Sequence, residues 1–158
     1  MNDINVGFCG GYDVYESGTP NEIKNFFNAI NKLALTNQNN LDWSLVLDRL
    51  YKRYVRFDDL YKTKEVIDFC KNILIKEGDS ETDNEFLKYF RHFYSSLSSA
   101  ISFHETFGEY RPIKIIVTDL PWCILEEKRP LNEYDQLNGE PFWSREYSAE
   151  EVERLSNL

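Results

Sequence analysis

The chain has 158 residues, 42% of them hydrophobic and 15% aromatic, with a formal net charge of −9 and a pI near 4.8. That length and apolar content suit one compact domain spanning residues 1–158 and exclude the low-hydrophobicity regime of disordered chains. The acidity argues against general affinity for nucleic acid or an anionic membrane, because neutralising phosphates takes a surplus of Lys and Arg. A basic-surfaced protein partner fits better.

From the N-terminus, Ile4 to Cys9 alternates as a short strand, broken by Gly10 and Gly11, and Tyr12 to Tyr15 forms a second extended piece able to pair with it. In "TPNE", Thr19 is an N-cap, Pro20 the first helical residue and Glu22 the returning member of a capping box. Ile23, Phe26, Phe27, Ile30, Leu33 and Ala34 then follow at helical spacing up to the polar run Thr36 to Asn40. Asp42 caps a second helix with Trp43, Val46, Leu47, Leu50 and Tyr54 along one face. Asp58 or Asp59 caps a third, with Leu60, Val66, Ile67, Phe69, Cys70, Ile73 and Leu74 as its apolar set and Gly78 closing it. A fourth, opening at Thr82 or Asp83, carries Phe86, Phe90, Phe93, Leu97, Ala100 and His104 on one side.

After Gly108 the period changes. Ile113 to Val117 and Trp122 to Leu125 read as strands around a loop at Asp119 to Pro121, Pro130 to Tyr147 is irregular, and Ser148 caps a short last helix. The expected fold is α+β and predominantly helical, about four to five helices packed on a small sheet formed by the N-terminal and C-terminal segments.

No catalytic or cofactor motif emerges. "GFCGGYD" lacks the spacing of either phosphate-binding glycine loop, so Gly10 and Gly11 read as a tight turn. Cys9, Cys70 and Cys123 are odd in number and far apart, which fits reduced thiols in a cytoplasm. The N-terminus shows no secretory signal, and no run of about 18 apolar residues occurs. His92 and His104 have no metal-ligand partners at the required spacing, so neither a metal nor a cofactor is expected. The alternative to a binding protein is a small acid–base enzyme using His104, Glu105 and a sheet-end acid such as Asp119; of the paired carboxylates, Asp58/Asp59 and Glu150/Glu151 are explained as helix starts, and Glu126/Glu127 is less easily dismissed. A histidine on an apolar helix face is more often a core residue hydrogen-bonded to backbone.

Most of the negative charge lies late. From Asp119 onward ten acids face four bases, a net of −6 out of −9. They are interleaved with Trp122, Tyr134, Phe142, Trp143 and Tyr147, a mixture that suits a protein-binding surface, with aromatics as desolvated anchors and charges steering a basic partner.

"WSLVLDRLYKRYVRFDDL" looks at first like a nucleic-acid-binding helix, with Arg49, Lys52, Arg53 and Arg56 among aromatics. On a helical wheel those bases fall opposite the apolar face, and Asp42, Asp48, Asp58 and Asp59 balance them, so the segment reads as amphipathic scaffold. A regulator binding nucleic acid through the Arg49 to Arg56 face is the weakest of the functional readings.

Two blocks, "VGFCGGYDVYESGTP" and "WSLVLDRLYKRYVRFDDLYKTKEVIDFCKNIL", resemble bacterial polymorphic-toxin immunity proteins, including those of contact-dependent growth inhibition (CdiI). The resemblance covers about half the chain; the part after Pro112 matches only in general character. It implies a cytoplasmic, non-enzymatic inhibitor that binds one cognate CdiA-type toxin C-terminal domain one to one, with no direct nucleic acid, membrane or small-molecule partner. Many toxins of such systems are nucleases, often acting on tRNA. The candidate toxin contacts, chosen on charge and aromatic density, are Asp119, Trp122, Glu126, Glu127, Glu133, Tyr134, Asp135, Glu140 and Trp143. The Gly10 to Ser17 loop is the second place to look for the interface.

Overall fold

A computed structural model describes residues 5–37, 39–52 and 54–118, together with Pro141, Trp143, Glu150 and Glu153. Within them the fold is α+β, four helices on a four-stranded antiparallel sheet. Strands β1 (Val6–Gly10) and β2 (Asp13–Gly18) form a hairpin, and β4 (Ile113–Val117) pairs with the other side of β1. Strand β3 (Tyr54–Val55) pairs with β4, so the order is β2-β1-β4-β3.

The double glycine does two separate things. Gly11 opens the two-residue hairpin turn at φ +60, a conformation L side chains rarely adopt. At Gly10 a Cβ would stand 1.9 Å from the carbonyl oxygen of Ser96, so strand β1 meets helix α3 (Leu87–Phe107) backbone to backbone.

Helix α1 (Pro20–Thr36) begins as its sequence dictates. Thr19 Oγ1 accepts from the Glu22 amide at 3.4 Å, its hydroxyl donates to Glu22 Oε1 at 3.1 Å, and Pro20 fills the first helical position. Ile23, Phe26, Phe27 and Ile30 are buried against the sheet and the other helices.

The second helix departs from expectation. Its centre, Leu45–Leu50, is π-helical, and the chain is already in a strand at Tyr54. Tyr54, expected on its apolar face, instead pairs in β3 with Lys114 while Val55 pairs with Ile113. Tyr and Val favour a pleated strand, and the free edge of β4 supplies the ladder, so a non-local pairing overrides helical periodicity. The sheet is therefore not made from the two ends of the chain alone.

A 3-10 turn, Phe57–Asp59, leads into α2 (Leu60–Leu74). Asp59 occupies the N-cap position but its side chain caps nothing; its carbonyl accepts from Thr63 Oγ1 at 2.8 Å. Leu60, Val66, Ile67 and Cys70 are buried, whereas Ile73 is largely exposed. Burial pushes the Cys70 thiol up to about 12. Helix α3 starts at Leu87, later than Thr82 or Asp83, because Asn84 ties off both flanking ends. Its amide donates to the Leu74 carbonyl at 2.8 Å and its Oδ1 accepts from the Phe86 amide at 3.0 Å. Gly108 ends α3 in the left-handed conformation at φ 72.

The core lies between helices and sheet. Phe8, Phe26, Phe90, Phe93, Ile67 and Ile115 meet there, with Trp143 among them. The expected strand at Trp122 to Leu125, the loop before it, the irregular stretch from Pro130 and the helix start at Ser148 lie outside the described residues.

Candidate functional site

Strand β2 is an edge of the sheet and runs beside the outer face of α3. On that helix Ser95, Ser98, Ser99, Ser102 and Thr106 recur three or four apart, opposite the buried Phe90, Phe93, Leu97 face. Because α3 touches β1 through Gly10, its small hydroxyl face leaves an open groove of about 620 Å³ between helix and hairpin, walled by Tyr12, Tyr15, Tyr94, Phe103 and Phe107.

The floor is organised around Ser99. Its hydroxyl donates to Asp13 Oδ2 at 2.8 Å, so the 3.0 Å contact with Tyr15 Oη is one in which Tyr15 donates and Ser99 accepts. At one rim Tyr12 stands edge-on to Phe103, ring centroids 4.7 Å apart, and the Arg111 guanidinium lies 3.9 Å from the Tyr12 centroid. Arg111 also reaches Tyr12 Oη at 2.5 Å and Glu109 at 3.4 Å. Tyr12 and Phe107 nonetheless remain 62% and 66% exposed.

Two polar networks flank the groove. The Ser17 hydroxyl donates to the Tyr15 carbonyl at 3.0 Å, which leaves its oxygen to accept from His92 Nδ1 at 2.7 Å. Burial, reinforced by Lys88 and opposed by Glu81, holds the His92 imidazole below its ordinary value. At the other flank Tyr94 donates to Asp68 Oδ1, and Lys64 Nζ lies 2.7 Å from Asp68 Oδ2. Burial raises the Asp68 carboxyl, but hydrogen bonds from Lys64 and Tyr94 with the charges of Lys64 and Lys71 outweigh it and carry the group below its usual value. Burial and the bond to Asp68 push the Tyr94 phenol up.

This arrangement offers hydrogen-bonding hydroxyls, exposed aromatic rings and a strand edge that is unpaired among the described residues, the components of a binding surface. The chain matches no family model, and comparison with curated proteins and with solved structures gave no match.

Of the residues chosen from sequence, Asp119, Trp122, Glu126, Glu127, Glu133, Tyr134, Asp135 and Glu140 lie outside the described residues. Trp143 requires correction: it is 0% exposed, not a surface anchor. Its ring packs on Tyr51 and Phe27 at 5.7 and 6.4 Å, and its Nε1 donates to the Tyr51 carbonyl at 2.7 Å. A Trp that packs on the core ring of Phe27 and the half-buried ring of Tyr51 and finds a backbone acceptor is held by packing.

The acid–base arrangement is not assembled among the described residues. His104 stacks on Tyr110 and Phe57 at 4.1 and 4.8 Å instead of taking a place in the core, Glu105 is exposed, and Asp119 is outside the described part. Arg49 and Arg56 are exposed and, with Asp59, border a cavity of about 210 Å³. Among the described residues no three His, Cys, Asp or Glu side chains cluster for a metal, and no helix is long and apolar enough to cross a membrane.

Sequence reasoning missed Tyr12, Asp13, Ser99, Phe103 and Phe107 as neighbours. The available signal was "SSLSSAIS", whose serines repeat at helical spacing on the side away from the phenylalanines.

Proposed function

We propose that this chain is a cytoplasmic immunity protein that binds a cognate CdiA-type toxin domain one to one and blocks it, the toxin being a nuclease that acts on tRNA. The observation that carries this reading is the meeting of acidic and aromatic side chains at an open sheet edge: Asp13 and Glu16 on β2 are exposed, and Tyr12 and Phe107 are 62% and 66% exposed beside them. Solvated aromatics rimmed by charge suit protein recognition. The net charge of −9 supports a basic partner, since a nuclease presents a basic cleft and an acidic inhibitor occupies it in place of nucleic acid. The segment resemblance to immunity proteins points the same way.

A standard interface buries about 1,600 Å², and protection at cellular concentrations calls for Kd near ~1 nM. The test is co-expression with the C-terminal domain of a large secreted protein encoded beside this gene. Growth rescue, a one-to-one complex and loss of tRNA cleavage are expected. An association rate indifferent to salt, or unrestrained cleavage in the presence of this protein, contradicts the reading.

A further inference from the structure

We infer that the outer edge of β2 is a docking edge for an extended, basic segment of a partner protein, which adds to the sheet as a fifth strand and drops alternate side chains into the groove beside α3. The inference deepens the toxin-binding reading and rests on it for who the partner is, but not for the edge itself.

Among the described residues strand β2 pairs with β1 on one side only, and Asp13, Val14 and Glu16 are exposed, Val14 at 39%. The hairpin has a two-residue turn closed by Gly10 and Asp13. In such a turn the closing pair exchanges its hydrogen bonds, so the backbone groups alternate inward and outward from there, and those of Val14 and Glu16 face away from β1. An unpaired row of this kind is a template for strand addition unless something guards it.

The guard here is charge, and it selects the occupant. Pairing with a second copy through the outward groups of Val14 and Glu16 sets the two Glu16 side chains diagonally across from each other, on chains that each carry −9. A strand bearing lysines or arginines opposite Asp13 and Glu16, three positions apart and so on opposite faces, converts the same sites to attraction. The residue opposite Tyr15 enters the groove, whose floor of Ser95, Ser98 and Ser102 leaves room for a side chain. Exposed Tyr12 lies at the turn end of the same edge as an anchor.

The test uses two synthetic strand-forming peptides, one with lysines three positions apart and the other with glutamates there, titrated into the full chain with amide exchange followed residue by residue. The lysine peptide is expected to bind about tenfold more tightly and to protect the Val14 and Glu16 amides. Val14→Pro removes an outward donor and is expected to abolish binding; because proline can disturb the hairpin, Glu16→Lys serves as the second variant and should bring the glutamate peptide level with or above the lysine peptide at unchanged melting temperature. Equal binding of both peptides, no binding of either at about 1 mM, unaltered exchange at Val14 and Glu16, or a β2-to-β2 dimer overturns the inference. If wild type rescues cells from the toxin and Glu16→Lys rescues equally well, the docking edge falls and the immunity reading stands. If the peptides behave as expected but wild type gives no rescue, the immunity reading falls and the docking edge stands.

Discussion

Trp143 Nε1 donates a 2.7 Å hydrogen bond to the carbonyl of Tyr51 in the last turn of the second helix, tying the late part of the chain to the helical layer. Helix ends carry carbonyls that no helical amide reaches, and this indole serves one of them while its ring fills the core beside Phe27. Trp143→Ala is expected to cost about 3–5 kcal/mol in urea unfolding. Trp143→Phe keeps most of the ring, loses the donor and is expected to cost about 1–3 kcal/mol. Partner binding by folded Trp143→Phe should match wild type; weaker binding at full foldedness would restore Trp143 to the interface.

Gly10 and Gly78 separate two reasons for glycine. A Cβ at Gly10 would meet the Ser96 carbonyl at 1.9 Å, whereas at Gly78, φ +86, it would meet nothing within 4 Å. Gly78→Ala should therefore cost only the left-handed penalty, about 1–2 kcal/mol. Gly10→Ala must push α3 off the sheet and is expected to cost about 3 kcal/mol or more, with the hairpin amides exchanging faster. Equal melting temperatures for the two variants would refute the close helix–strand contact.

How far the sequence foretold this follows from the range of each interaction. Thr19, Pro20 and Glu22 act on one another within a single turn, so the start of α1 was legible from four residues. Phe90, Phe93, Leu97 and Ala100 announced their common face by spacing alone. Tyr54 and Val55 were not legible as a strand, because what makes them one is the edge of β4, nearly sixty positions away. The groove was hidden for the same reason: nothing local says that β2 lies at a sheet edge or that the α3 serines face it. Trp143 misled because aromatics among acids look alike in sequence whether a core ring or solvent lies beside them.

His92 gives the fold an acid-sensitive term. Its folded-state value lies below the ordinary 6.5, so the neutral ring is preferred in the native state and the unfolded chain takes up the proton first. Its contribution is complete above pH 6.5 and is lost as pH falls through the folded value. His92→Gln should flatten the decline in unfolding free energy between about pH 7 and 5. Asp68, lowered from 3.8, acts in the same direction at lower pH, where Asp68→Asn should blunt the acid limb. An unchanged pH profile in His92→Gln would show that burial of this ring does not set its protonation apart from that in the unfolded chain.

If Ser99 organises the groove floor, Ser99→Ala releases both Asp13 and Tyr15, since it removes the bonds at 2.8 and 3.0 Å. The expected cost in stability is small, about 1 kcal/mol, with faster amide exchange confined to the turn end of the hairpin. Exchange unaffected at Asp13 to Tyr15 would mean that the hairpin holds its place without the helix.

The central claim, that this acidic chain neutralises a toxin by binding it, is tested most directly by measuring toxin cleavage of tRNA against increasing amounts of purified protein. The account predicts stoichiometric inhibition that ends at a one-to-one ratio and weakens in high salt. Full nuclease activity at a large molar excess of the folded protein would contradict it.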